Sequence, residues 1–194
     1  TFPVLGKPGL NFLAWTTTPW TLPSNLALAV GKELDYVEVT QQASGQKYIL
    51  ARALVAAAFK DTAKELNPES EWKAYKGNDL LGWEYEPLFD YFSNQRAKGA
   101  FKVIWAEHVT TESGTGIVHM APAFGEEDYF ACAREKLPLV NPVDDDGMFT
   151  AEVPAYQGKR AKDAAKEIIA ETKKRGRHVQ QETTPHAHPF RARL

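Results

Sequence analysis

Pro19 and Pro23 interrupt the stretch Trp15-Thr16-Thr17-Thr18-Pro19-Trp20-Thr21-Leu22-Pro23-Ser24-Asn25, and they constrain this chain more than any other feature. Each fixes φ and removes a backbone donor, so the loop they define is expected to be neither helix nor central strand. The residues before it, Asn11 to Trp15, read as a strand entering a buried sheet, and Leu26 to Val30 read as a strand leaving it. Threonine hydroxyls and an amide at a strand end make an uncharged hydrogen-bonding wall. Such a wall suits a polar substrate that must be oriented without ion pairing. Threonines alone would equally suit a pleated strand. The Trp-Pro-Trp frame and the closing Pro-Ser-Asn set this run apart.

Composition narrows the class. With 194 residues, 43% of them hydrophobic and 25% charged, the chain can bury one sizeable core and reads as a single domain over 1–194. No apolar run approaches the roughly 20 residues that span a bilayer, so no membrane partner is expected. The single cysteine, Cys132, has no internal partner and no metal-ligand spacing, and reads as a buried thiol in a reducing, cytoplasmic setting. Net charge is −2, from 23 Lys and Arg against 25 Asp and Glu. A protein that grips nucleic acid through many phosphates shows a basic excess, so any such contact here is expected over a small area. The cluster Lys173, Lys174, Arg175 and Arg177 reads as the dipole-matched end of a helix. The first residue is not Met and the last is Leu194, which fits a piece of a longer chain.

Along the chain, residues 36–41 and 47–51 around Ser44-Gly45 read as a hairpin, and 52–65 as a helix that Asn67-Pro68 ends. Residues 77–89 carry too many breakers for a helix and read as turn and strand. Strands follow at 101–109 and 116–120. One helix runs from Gly125 to about Lys136 and another from about Lys159 to Lys174, with Gly176 just past its end. Strands dominate the first two thirds. The expectation is an α+β domain with a closed or nearly closed β-barrel core and surrounding helices. No phosphate-cradling glycine loop opens a helix, so no nucleotide cofactor site is read here.

A second dense segment is Glu112-Ser113-Gly114-Thr115-Gly116-Ile117-Val118-His119-Met120-Ala121-Pro122-Ala123-Phe124-Gly125-Glu126-Glu127-Asp128-Tyr129. Two glycines permit a tight turn before a buried strand that ends at His119, and a helix then begins with an acidic first turn. A strand end carrying His and a helix start carrying Asp are expected to face one cleft. Acids at a helix N-terminus are favoured by the dipole alone, by about 0.3–1 kcal/mol, and a strand-end histidine is commonly just a satisfied core residue.

The two segments together resemble a family. Thr-Thr-Thr-Pro-Trp-Thr-Leu-Pro-x-Asn over residues 16–25 and Gly-Thr-Gly-Ile-Val-His-x-Ala-Pro-x-x-Gly-x-x-Asp over 114–128 are similar, in the same order, to the signatures of the editing domain inserted in the catalytic core of isoleucyl-tRNA synthetases, class I enzymes. Residues 77–89 fit a Gly-x-x-Leu-x-Gly-x-x-Tyr-Glu-Pro-Leu-Phe segment of that family. The valyl and leucyl relatives carry Thr-Thr-Arg-Pro in the first motif and form an alternative. The exit segment departs from the family pattern: Arg191-Ala192 stands where Cys-Trp is usual. His186 and His188 lack a third ligand there, so no metal is expected.

What the resemblance implies is a second sieve. Valine differs from isoleucine by one methylene, which a pocket discriminates by only about 1–3 kcal/mol. The domain would hydrolyse the ester joining valine to the 3′ end of tRNA(Ile), with valyl adenylate as a second candidate substrate. It would need no cofactor of its own, ATP and magnesium belonging to the full synthetase, and its other partner would be the rest of that chain. By motif position, Asp128 would bind the α-ammonium. Thr16, Thr17, Thr18 and Thr21 would line the pocket and hold ester and water. His119, Thr21 and Trp15 would limit side-chain volume. Trp20 and Asn25 would join the substrate-binding residues, Asn25 by shaping the same loop. Thr17, Thr18, His119 and Asp128 are thus the candidate catalytic residues. Neither motif holds a Ser-His-Asp or Cys-His pair, which favours direct attack by a positioned water, with a ribose hydroxyl as an aid. His119 as general base comes second. The alternatives are a module that binds the charged tRNA end without cleaving it, and an unrelated hydrolase built on His119, Asp128 and Thr17.

Overall fold

A computed structural model describes residues 1–180, and the exit segment with His186 and His188 lies outside them. In chain order the strands are β1 (Phe2–Pro3), β2 (Leu10–Phe12), β3 (Ala27–Val30), β4 (Asp35–Thr40), β5 (Lys47–Ala51), β6 (Lys73–Lys76), β7 (Lys102–Trp105) and β8 (Ile117–Met120). The α-helices are α1 (Val55–Ala58), α2 (Gly77–Leu80), α3 (Glu126–Arg134) and α4 (Ala165–Lys174).

Among the described residues the strands make two mixed sheets, ordered β1-β2-β5-β4-β6 and β7-β3-β8. Among the described residues no closed barrel is seen. The two sheets approach each other where Ala51 N–H of β5 donates to the Thr115 carbonyl at 2.8 Å, and isolated bridges of Trp15 with Val118 and of Glu84 with Lys102 add to the contact around them. In each sheet one pair is parallel, β2 with β5 and β3 with β7. The α+β class stands.

The hairpin of β4 and β5 forms as read, with Tyr36 opposite Ala51 and Thr40 opposite Lys47. Other elements differ. The run 52–65 is a short 3-10 turn at Arg52–Leu54, then α1, then another 3-10 turn at Ala63–Glu65. No side chain caps any of the three, and the chain bends to bury Phe59 against Tyr48. Tertiary packing outweighs good helix propensity here. The last helix begins at Ala165, because Lys159 and Arg160 are still paired with Phe149 and Met148. Its end is closed as expected: Gly176 N–H donates to the Lys173 carbonyl at 3.0 Å and Arg177 N–H to that of Thr172 at 2.9 Å. Residues 77–80 are helical, with the backbone N–H of Lys76 donating to the Asp79 carboxylate at 2.8 Å.

The proline loop is also corrected. Pro19–Ser24 is a 3-10 helix with Pro19 in its first turn and Pro23 inside it. A 3-10 turn uses φ values that proline already holds, and a run this short forfeits little when Pro23 donates nothing. Leu22, Leu26, Leu28 and Val30 are buried along this stretch and anchor it to the main core. Cys132 packs with Ala27, Ala29 and Met120 behind β3, where burial pushes its thiol up to about 12.

Candidate functional site

The two motifs meet through their polar groups. β3 and β8 are antiparallel, with Leu28 opposite His119, so the end of the proline loop lies against the end of β8. Asn25 and Thr21 approach the His119 ring from this loop. Asn25 Nδ2 stands 2.9 Å from His119 Nδ1, and Thr21 Oγ1 stands 2.9 Å from Nε2. Trp20 packs edge-on against Phe124 of the second motif, ring centroids 4.9 Å apart.

The network extends in both directions. Asn25 Nδ2 also donates to the Ala27 carbonyl at 2.9 Å, and Asn25 Oδ1 accepts from the Tyr85 hydroxyl at 2.6 Å. At the other end, the Thr21 hydroxyl donates to the Thr18 carbonyl at 2.9 Å. Tyr85, Thr21, Asn25 and His119 are all buried. Burial lowers the His119 pKa to about 4, so the ring is neutral at physiological pH. With both ring nitrogens engaged, His119 has no free nitrogen to offer a substrate.

His119 borders a cavity of about 580 Å³. Leu13 to Thr17 form one wall, and Ser113, Gly114 and Thr115 join it from the turn before β8. Ala57 and Ala58 of α1 form another part. Leu88, Ile169, Thr172 and residues 177–180 complete it from the far side. The turn needs its glycines. Gly114 and Gly116 both hold positive φ, at 75° and 71°, and a Cβ on Gly116 would meet that of Ala51 at 2.4 Å. That close approach sets β8 against β5 and brings Trp15 beside Gly114.

The expected site residues therefore divide. Trp15, Thr16, Thr17 and His119 line the cavity. Thr21 and Asn25 stand behind His119 and hold it, and Thr18 contributes its carbonyl to Thr21. Thr18 is exposed and Trp20 is spent on Phe124, and neither lines the cavity. Asp128 does not line it either. Its Oδ2 accepts the Ala121 N–H at 2.9 Å, closing the turn into α3. Burial raises its pKa, with the Ala121 hydrogen bond opposing. Sequence reasoning missed Tyr85, although its Tyr-Glu-Pro-Leu-Phe setting was a visible signal. It also missed Arg177 as a cavity residue, having read it as part of a solvated helix end; Arg177 pairs with Glu86 at 3.1 Å. Among the described residues no group of three or more His, Cys, Asp or Glu side chains is placed to hold a metal ion. No described helix is long and apolar enough to cross a membrane.

No protein-family model matches the chain. Solved structures similar in fold include GlLeuRS-CP1, with a TM-score of 0.67 and 16% identity, covering 90% of this chain and 85% of that one. The editing domain of cytosolic leucyl-tRNA synthetase from P. falciparum is another, with a TM-score of 0.61, 12% identity, and 86% and 77% coverage. The chain thus shares its fold with these two domains. By sequence it belongs with the isoleucine–tRNA ligases: it is 57% identical over 189 residues to that of Bdellovibrio bacteriovorus and 47% identical over 206 residues to that of Corynebacterium diphtheriae, in both cases over 97% of its length. It spans 18% and 19% of the length of these two relatives.

Proposed function

We propose that this segment is the proofreading site of an isoleucine–tRNA ligase, hydrolysing the ester that links valine to the 3′ end of tRNA(Ile). The carrying observation is the cavity where the two motifs join, with threonines on one wall and a neutral, doubly hydrogen-bonded histidine on another. Its volume of about 580 Å³ lies within the range usual for small-molecule sites. Thr16 and Thr17 supply hydroxyls that accept and donate without charge, which suits holding an ester and a water together. His119 and Trp15 restrict the side-chain space. Valyl adenylate carries the same aminoacyl group and fits the same reading, as does a domain that uses no metal or nucleotide of its own.

Asp128 lies outside the cavity lining, so in this reading the α-ammonium extends past that lining to Oδ1, while Oδ2 keeps the Ala121 N–H. A proton taken from the attacking water is not assigned to His119, whose ring nitrogens are both bound. The 3′-terminal ribose hydroxyl of the substrate remains the nearest candidate in chemical terms.

The test compares hydrolysis of valyl- and isoleucyl-tRNA(Ile) by the full synthetase carrying this segment and by its Thr16→Ala/Thr17→Ala variant. The expected result is loss of valyl hydrolysis by at least tenfold in the variant. Binding of both esters with hydrolysis of neither by the unaltered enzyme would point instead to a module that only holds the charged end.

A further inference from the structure

The groups behind His119 form a one-way hydrogen-bond relay. A side-chain amide nitrogen can only donate, and the Ala27 carbonyl can only accept. Asn25 Nδ2 must therefore face Ala27, at 2.9 Å, which fixes the amide's orientation. Its second hydrogen then points to His119 Nδ1, so Nδ1 carries the lone pair and Nε2 the proton. Nε2–H donates to Thr21 Oγ1, and the Thr21 hydroxyl proton has the Thr18 carbonyl as its acceptor. The Tyr85 hydroxyl seals the other end on Asn25 Oδ1.

Hydroxyl, imidazole and a carbonyl-bearing side chain in a row are the parts of a nucleophilic triad. In such a triad a carboxylate accepts Nδ1–H, and the Nε2 lone pair takes the proton from the hydroxyl. Here an amide replaces the carboxylate and reverses the order. Thr21 cannot pass its proton to Nε2, because a proton is already there. It is neither a nucleophile nor a source of an acyl-enzyme. Protonating Nδ1 would set two donors against each other.

We propose that Asn25 and Tyr85 are positioning residues that lock His119 as the Nε2–H tautomer, so that this imidazole serves as a rigid uncharged wall of the cavity and never as a base. The proposal deepens the proofreading reading and rests on it for its purpose, though the tautomer itself is a property of the resting protein.

The experiment uses the full synthetase labelled with ¹⁵N-histidine, the His119 signal being assigned by its loss in His119→Gln. Wild type is expected to show the neutral Nε2–H form at every pH from 5 to 8. Asn25→Asp places an acceptor against Nδ1 and is expected to move the proton there and to bring His119 titration into that range. Tyr85→Phe keeps the Asn25 donor and is expected to keep the tautomer, while isoleucyl-tRNA hydrolysis rises several-fold as the ring loses its fixed seat. His119→Gln removes any titrating ring, and the pH profile of valyl-tRNA hydrolysis between 5 and 8 is expected to keep its shape, whereas removing a general base would change that profile and cost about 10²–10⁴-fold. A wild-type signal of the Nδ1–H form, or one that titrates between pH 5 and 8, would overturn the proposal. So would a base-sized loss in His119→Gln with its fold intact by circular dichroism. A wild-type enzyme with the Nε2–H tautomer and no valyl-tRNA hydrolysis would sink the proofreading reading and leave the relay standing.

Discussion

Thr21 Oγ1 and His119 Nε2 lie 2.9 Å apart across 98 residues of chain. The contact joins the proline loop to the end of β8 and turns two separate segments into one wall. Thr21 has a partner on its other side as well, because its own proton goes to Thr18. Its hydroxyl is thereby used up, which leaves Thr16 and Thr17 as the hydroxyls available on that side of the cavity.

The neutral His119 makes stability depend on pH. Its folded-state pKa of about 4 lies below the ordinary 6.5, so between these values the unfolded chain binds a proton that the folded chain does not. Stability is therefore full above about pH 6.5 and is lost as pH falls toward 4. The loss between pH 7 and pH 5 is expected to be about 2 kcal/mol from this group. Urea unfolding at the two pH values checks it, with His119→Gln as the reference that removes the contribution. Equal pH dependence in both proteins would contradict a buried neutral ring.

Gly116→Ala is expected to destabilise the protein by on the order of 2 kcal/mol or more. The backbone there holds φ at 71°, and the added Cβ would sit 2.4 Å from that of Ala51. Left-handed strain costs roughly 1–2 kcal/mol for a residue with a Cβ, and overpacking about 1–3. Thermal unfolding measures this directly, and a change below about 0.5 kcal/mol would mean that β5 and β8 are free to separate.

Much of the site was legible because its two motifs are local in sequence. The prolines marked a break between strands, though it is a 3-10 helix where a non-helical loop was expected, the glycines marked a turn, and His119 marked a strand end. The Ser44-Gly45 hairpin was equally local, and Gly176 ended α4 as its type suggests. What sequence could not carry was pairing at long range. Nothing in Leu10–Phe12 says that it lies parallel to Lys47–Ile49, yet the cavity wall Leu13 to Thr17 continues directly from that paired strand. Closure of a barrel was out of reach for the same reason, since strand number does not dictate it. Tyr85 was read within a strand-like motif, but its hydroxyl finds Asn25, 60 positions earlier, only once the chain between them has folded. Asp128 shows the same limit: its motif position points to a ligand contact, while the hydrogen bond from the Ala121 N–H to one of its oxygens is visible only in the fold.

Asp128 is tested by separating its two roles. Asp128→Asn keeps an oxygen for the Ala121 N–H and removes the charge, whereas Asp128→Ala removes both. A hydrogen bond to a charged group contributes about 1.5–3 kcal/mol, which corresponds to roughly 10- to 150-fold in rate. Valyl-tRNA hydrolysis is expected to fall by that factor in Asp128→Asn, with unfolding close to wild type. Normal hydrolysis by Asp128→Asn would confine this carboxylate to closing the turn.

The size sieve gives the sharpest expectation. Valine and isoleucine differ by one methylene, worth about 0.8 kcal/mol on burial and in isoleucine's favour, so rejection of isoleucine has to come from steric overlap. His119 lines the cavity and is held on both nitrogens, so it cannot swing aside to admit a larger group. His119→Ala removes the ring while leaving Thr16 and Thr17 in place. The variant synthetase is expected to hydrolyse isoleucyl-tRNA(Ile) that wild type spares, and to keep much of its valyl-tRNA hydrolysis. Deacylation of both esters, measured side by side, separates this from every other role for the ring. Loss of both activities would restore His119 as a chemical participant. Unchanged activity on valine with continued rejection of isoleucine would move the wall to Trp15 and its neighbours.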